Sequence, residues 1–432
     1  MVHGLPCRTN SFRYVIGVWS VVFACHGLGV AAEPLLQVNQ RLTHHNAAVS
    51  AVQFSPSGSE LATVDCQGVL VLWDVRQQKM IIRLQLPEGD WNSANLQWNA
   101  SGDTLLCWAD MVGAVVIERK QFRQKTLFSR TVDLKGIDSA YSCTQALKLS
   151  AQGTHALWGA NGIFQPLVKA DVNPDDAQQP EPVASFLALI ELKTGAVQQF
   201  SAPFPIFRAY LTEEGRFLAV DFQGALLSGD LREGLQVKRI PRPRGDQMMS
   251  INTFGAMAVT PEGSKIVLGG TSGQFELFQN APLRKIRTFN MPTIKVKPDQ
   301  VSPLLNADQL AVLLNTVCAV AISADGSRSA AGMLGGGLQL WDNQSGKLLQ
   351  NLKFAPISEN REESARAICF VPQSNQRLLV STVESSLYLF DTRQQTRFKL
   401  DHAGPFDVTP DGKQLAVSIG SENAVRIYEI PD

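Results

Sequence analysis

The sequence predicts an all-β fold: a single β-propeller of four-stranded antiparallel blades, with eight blades favoured and seven as the alternative. Three observations predict it. A strand–turn–strand phrase built on a short polar turn recurs along the chain, as "SPSG" ending at Gly58, "NASG" at Gly102, "SAQG" at Gly153, "TEEG" at Gly215, "TPEG" at Gly263, "SADG" at Gly326, "VPQSN" at Asn375 and "TPDG" at Gly412. Each copy is followed by a third alternating apolar run and a shorter fourth, giving a unit of about 40–50 residues, the period of a propeller blade. The stretch before the first unit reads like the fourth strand that the last unit lacks.

The chain opens on a different kind of sequence. Arg8 and Arg13 precede an apolar run from Tyr14 to Ala24 and then small residues ending Val30-Ala31-Ala32. That is the layout of a secretory signal peptide, so residues 1–32 are expected to be removed and 33–432 to form the propeller. The apolar run is short for a membrane span of about 20 residues, which puts a retained N-terminal anchor behind cleavage. A lipid anchor at Cys25 also ranks behind cleavage, because Phe23 fits a lipobox poorly. No later segment is apolar enough to span a bilayer. The expected location is periplasmic or secreted.

The 432 residues carry 39 Lys+Arg and 39 Asp+Glu, a net charge of zero. Zero net charge gives no global attraction for nucleic acid or anionic lipid, so neither is expected as a partner. Past the leader the cysteines are Cys66, Cys107, Cys143, Cys318 and Cys369, with no Cys-x-x-Cys pairing. They read as small core residues. An exported chain could pair some of them, but an odd number leaves at least one free.

The elements follow in order. Residues 35–42, in "EPLLQVNQRLTHHN", resemble the fourth strands of other units, such as "GKLLQNLKF" and "APLRKIRTF". First strands read "VSAVQF", "FGAMAV", "VCAVAI" and "ARAICF"; second strands read "ELATVD", "FLAVDF", "KIVLGG" and "QLAVSI". Period-two alternation bounded by Gly, Pro, Ser and Asp marks such pairs. Third strands read "VLVLWDV", "GAVVIER", "FLALIEL", "QFELFQN", "GLQLWDN", "SLYLFDT" and "AVRIYEI". The last unit, "GPFDVTPDGKQLAVSIGSENAVRIYEIPD", stops after three strands. Pairing chain start with chain end would close the ring and remove an open edge.

These third strands resemble those of the WD-repeat propeller family, with Trp73-Asp74 and Trp341-Asp342 as the best matches and Phe390-Asp391 and Tyr428-Glu429 as weakened ones. The resemblance spans the mature chain and implies a propeller fold. It also implies an Asp six residues before the Trp, bonded to a His. Those positions hold Gln67 and Gly335. His45 has the family's spacing, but Asp65 lies two residues from the expected place, so His45 is expected to be a structural remnant in blades held by apolar packing. Each terminal aromatic can bury some 150–250 Å² between blades, worth several kcal/mol at about 25 cal/mol per Å².

In such a blade the first-to-second and third-to-fourth turns share one face, and here they are tight. The opposite face holds the second-to-third turns and the blade connections, and nearly every insertion falls there: 164–184, 241–251, 291–315, 355–365 and the link "TVDLKGIDSAYSC". Long connections in compact domains tend to be functional or disordered. The candidate partner-binding residues are therefore Phe164, Asp171, Asp175, Asp176, Arg242, Arg244, Lys295, Lys297, Asp299 and Arg361, on a face elaborated over blades 3 to 7. Asp171, Asn173 and Asp175 in "DVNPDD" are spaced as in calcium loops, but the loop lacks the sixth-position Gly and the closing Glu. A solvated acidic loop is preferred, and no metal or cofactor is expected.

No His/Cys metal spacing, Gly-x-Ser-x-Gly elbow or phosphate-binding Gly loop is present. "LGGGL" joins two strands, and the first strands "SAVQF", "ALKLS", "AVAIS" and "AICFV" offer an axial channel little acid, base or metal-binding material. The reading is a non-catalytic, monomeric platform that binds a protein partner through long loops on one face. The alternative is a propeller enzyme or small-ligand binder acting at the channel mouth.

Overall fold

The computed structural model describes residues 38–109, 112–129, 142–160, 185–202, 206–212, 214–221, 225–231, 237–240, 256–270, 273–280, 282–296, 306–358 and 361–431. They form eight four-stranded antiparallel sheets and one two-stranded hairpin. Blades 1 to 7 take their strands in sequence order, from 49–85, 95–129, 142–202, 206–240, 257–290, 317–352 and 365–400. Blade 8 takes three strands from 403–429, and its fourth is Val38–Leu42, paired antiparallel with Ala424–Glu429. The expected closure and the eight-blade count are both observed.

The turns follow their sequences. Gly58 accepts a left-handed backbone (φ 70°), and its N–H donates to the Ser55 carbonyl. Such a positive φ costs glycine little, because it has no Cβ. The equivalent glycines through Gly412 do the same. Blade 7 departs from the expectation centred on Asn375: the left-handed residue is Gln373, and Ser374 N–H closes the turn onto Val371.

The middle strands of each blade lie between two neighbouring blades, so both faces are covered and apolar residues run without a polar break. In Val69–Asp74 every residue but the last is buried. The core is accordingly divided among the seams. Trp73 packs with blade 8 residues Ala416, Val425 and Ile427. Phe390 joins blade 6 side chains, including Leu340 and Phe354, and Tyr428 joins blade 7 side chains, including Leu379 and Leu389. The terminal aromatic of one blade thus fills the seam to the preceding blade. Trp341 does this less completely: it is half-buried, against Phe275 and Phe289 of blade 5. Close approach also selects glycine. A Cβ on Gly269 would come within 2.4 Å of the Val317 carbonyl oxygen.

Blade 1 corrects the expectation for His45. Asp65, the last residue of the second strand, is the missing partner: its Oδ2 lies 3.0 Å from His45 Nδ1. His45 Nε2 lies 2.7 Å from Thr63 Oγ1, which also accepts the Trp73 indole N–H at 2.9 Å. The turn after Asp65 is closed by its Oδ1, which accepts from Gln67 N–H and Val69 N–H. This blade therefore carries a complete buried polar chain and does not rely on apolar packing alone.

Candidate partner-binding surface

The elaborated face is described over blades 5 to 7, where two inserted segments lie on the second-to-third turns. The first is the helix Ala307–Leu314, in a connection that the sequence predicts as a long loop. Asn306 caps it by accepting from Gln309 N–H, and the Gln309 side chain accepts in return from Asn306 N–H. Such reciprocal capping satisfies donors that a helix start leaves unpaired. Asn315 then ties the helix end to the incoming chain. Its amide donates to the carbonyls of Ile294 and Ala311 and accepts from Ile294 N–H.

Beneath lies the "LGGGL" turn of blade 6. Gly335 N–H donates to the Leu314 carbonyl, and a Cβ at 335 would come within 2.5 Å of Ile294 and 2.9 Å of Leu314. The glycine run makes room for the helix.

The second segment is the hairpin Pro356–Ser358 with Arg361–Glu362, which leads into the buried Glu363. Glu363 accepts from Thr382, Ser386, Tyr388 and Lys399, the last at 2.8 Å. Burial pushes its carboxyl up, but the Lys399, Thr382 and Ser386 donors outweigh that and hold it below its ordinary value. Tyr388 also accepts from Ala355 N–H, so both ends of the insertion are pinned to blade 7. Ser364 extends the contact sideways: its hydroxyl donates to the Leu334 carbonyl and its N–H to Glu384. The result is a continuous hydrogen-bonded surface from Gly273 in blade 5, which donates to Asn315, to the 383–386 turn of blade 7. Ile357 on the hairpin and Val383 on that turn stand exposed upon it.

Of the sequence-derived candidates, Lys295 is exposed beside Ile294, and Arg361 lies in the hairpin. Phe164, Asp171, Asn173, Asp175, Asp176, Arg242, Arg244, Lys297 and Asp299 lie outside the described residues. Sequence reasoning missed Glu363, Ile357 and Val383.

The innermost strands also carry more charge than expected. Lys148, Arg208 and Asp407 are half-buried on the first strands of blades 3, 4 and 8. Asp407 Oδ2 accepts from Phe54 N–H across the closing seam at 2.7 Å. Burial raises the Asp407 carboxyl to about 7, a shift the Phe54 and Val408 N–H groups only partly offset. Burial first, and then the Arg208 charge, lowers Lys148 to about 8. Among the described residues no group of His, Cys, Asp and Glu is arranged to hold a metal. An open groove of about 1200 Å³ lies on the tight-turn face between blades 7, 8 and 1, bordered by Ser57, Arg76, Arg377, Asp391, Lys413 and Glu429. Cys66 is disulfide-bonded, while Cys107, Cys318 and Cys369 are free. Among the described residues no helix is long and apolar enough to cross a membrane.

Residues 36–74 match the family model of the WD domain, G-beta repeat. No curated protein matches the sequence. The fold is similar to the structure of Sqt1 from Saccharomyces cerevisiae, at 16% identity and a TM-score of 0.61, covering 91% of this chain and 99% of that one. It is also similar to the β-propeller domain of Cps50 (Swd1) from Myceliophteria thermophila, at 11% identity and a TM-score of 0.51, covering 92% of this chain and 100% of that one. The chain is thus an eight-bladed β-propeller that carries a WD repeat at residues 36–74.

Proposed function

We propose that the protein is a non-catalytic, exported interaction platform that grips a protein partner through the elaborated face of blades 5 to 7. The observation that carries this reading is the rigid seating of the helix and hairpin. Ordering a loop costs about 1–2 kcal/mol per residue in backbone entropy. Here capping, the Asn315 clamp and the Glu363 cluster offset that cost before any partner arrives. Preorganised surfaces bind more tightly because less ordering remains to be done. The exposed aliphatic side chains of Ile357 and Val383 supply apolar anchors.

Export rests on the leader at 1–32, and the disulfide at Cys66 supports it, since disulfides persist in oxidising compartments. N-terminal sequencing of the natural protein tests it: a chain starting at Glu33 supports cleavage, and one retaining Arg13 in a cytosolic fraction refutes it.

Platform binding is tested by affinity capture with a deletion of 291–311. The expected result is a folded propeller that loses a partner. The alternative, a small-ligand site at the channel mouth, draws on Lys148, Arg208 and Asp407. It is distinguished by ligand-induced protection of those innermost strands in hydrogen exchange.

A further inference from the structure

A propeller leaves its fourth strands as open edges around the rim, and in this chain they share a composition. "KMIIRLQ", "RQKTLFS", "KRI", "RKIRTFN", "TRFKL" and "VNQRL" carry Lys or Arg, and "VQQFSA" and "LLQNL" carry no charge. None of the eight described fourth strands holds Asp or Glu, although acids and bases are equal in the whole chain. Basic side chains on exposed edges discourage pairing between identical copies, so this rim repels another copy of itself and favours an acidic visitor.

Exposed apolar side chains occur elsewhere on the rim, at Val38, Met80 and Val197, but one sector exposes apolar residues at its bulges. The fourth strands of blades 1, 2, 5, 6 and 8 each contain a bulge; the unpaired residue is Asn39 in blade 8 and apolar in the other four, Ile81, Leu127, Ile286 and Leu349. A bulge re-aims the side chain it carries. Ile81 and Leu127 are tucked against the core at their seams. Ile286 and Leu349 are 41% and 42% exposed, and neither belongs to a core cluster. They lie on adjacent blades whose rims touch, since Arg287 donates to the Gln344 carbonyl at 3.0 Å and abuts Gly346. Leu348, next to Leu349, is exposed as well, and so are Arg284, Lys285 and Lys347 on the same two strands and the turn before the second. Lys285 makes a local ion pair with Glu276 at 3.1 Å.

We infer that the rim of blades 5 and 6 is a second docking surface, for a partner-protein segment that interleaves acidic and aliphatic side chains. A nucleic acid would match the charge and leave Ile286, Leu348 and Leu349 uncovered. A bilayer would match both but strand the open backbone edge, because lipid cannot satisfy peptide groups. A polypeptide supplies acids, aliphatic side chains and backbone partners together. The inference is independent of the loop face, which lies on a different side of the blades.

The test uses a labelled peptide of sequence Asp-Leu-Glu-Val-Asp-Leu-Glu-Val, read by fluorescence anisotropy on the full chain. Two patch variants are compared with wild type, Arg284→Glu/Lys285→Glu and Ile286→Ser/Leu349→Ser. A control, Lys79→Glu/Arg83→Glu, changes the rim of blade 1, and thermal melting verifies the fold of each protein. We expect wild type and control to bind alike and each patch variant to bind about tenfold or more weakly, with only the charge-reversed one losing its salt dependence. No binding by wild type, equal binding by all four proteins, or tighter binding of duplex DNA or phosphatidylglycerol vesicles than of the peptide overturns the inference.

Discussion

His45 Nδ1 and Asp65 Oδ2 meet 3.0 Å apart with both side chains fully buried, and through Thr63 they reach the indole of Trp73. Asp65 also accepts two backbone N–H groups of its own turn. Replacing Asp65 with Ala leaves several buried donors unpaired. It should cost about 2–4 kcal/mol, since each orphaned buried polar group costs about 1–3 kcal/mol. Chemical denaturation measures the loss, and a double-mutant cycle with Trp73→Phe should show coupling of about 0.5–3 kcal/mol, as for residues in one network.

Asp407 should make the protein less stable as pH rises. Its carboxyl is raised to about 7 in the folded state, above its ordinary value of 3.8, so between those values the folded chain holds the extra proton. Stability linked to this group is fully present below the ordinary value and is lost as pH rises through about 7. Asp407→Asn keeps an acceptor for Phe54 N–H and cannot ionise. It should be more stable than wild type at pH 8 by on the order of 1–3 kcal/mol, with the gain fading below pH of about 5. Denaturation midpoints across pH measure it.

Glu363 has the opposite sign. Its carboxyl sits below its ordinary value, so its contribution is present above that value and is lost as pH falls. Glu363→Gln should cost about 2–4 kcal/mol near neutrality, because it removes the buried charge partner of Lys399 and disrupts four accepted bonds. The deficit should shrink in acid. Hydrogen exchange should also quicken at the 356–362 hairpin before it does in the blade 7 strands.

Gly335→Val places a branched side chain where a single Cβ would already meet Ile294 and Leu314. The helix Ala307–Leu314 should lift from the face while the ring stays closed. Limited proteolysis should then cut within 306–315 at least about tenfold faster, as expected when a local opening costs about 1.4 kcal/mol less, with little change in melting temperature.

The ring was legible because one unit is written eight times, and even the closure could be read from "LLQVNQRL" standing in for a fourth strand. The polar chain of blade 1 was read only in part. His45 and Trp73 were picked out, but fixed spacing placed the acid in the turn, whereas Asp65 closes that turn from the end of the strand. The helix Ala307–Leu314 escaped notice because "NADQLAVLLN" is short and apolar enough to pass for loop or strand, and its Asn–Gln capping box was the overlooked signal. Glu363 and Asp407 depend on neighbours far along the chain, Lys399 and Phe54, which no local pattern announces.

The central claim, binding through the face of blades 5 to 7, is tested most directly by affinity capture from native extracts with surface variants that leave the fold intact. Ile357→Asp/Val383→Asp alters two exposed side chains on that face, and Ser57→Asp/Lys413→Asp alters the tight-turn face. The account predicts that a partner held by wild type and by the tight-turn variant is lost from the Ile357/Val383 variant. Retention of every partner by that variant, or loss through the tight-turn change alone, would contradict it.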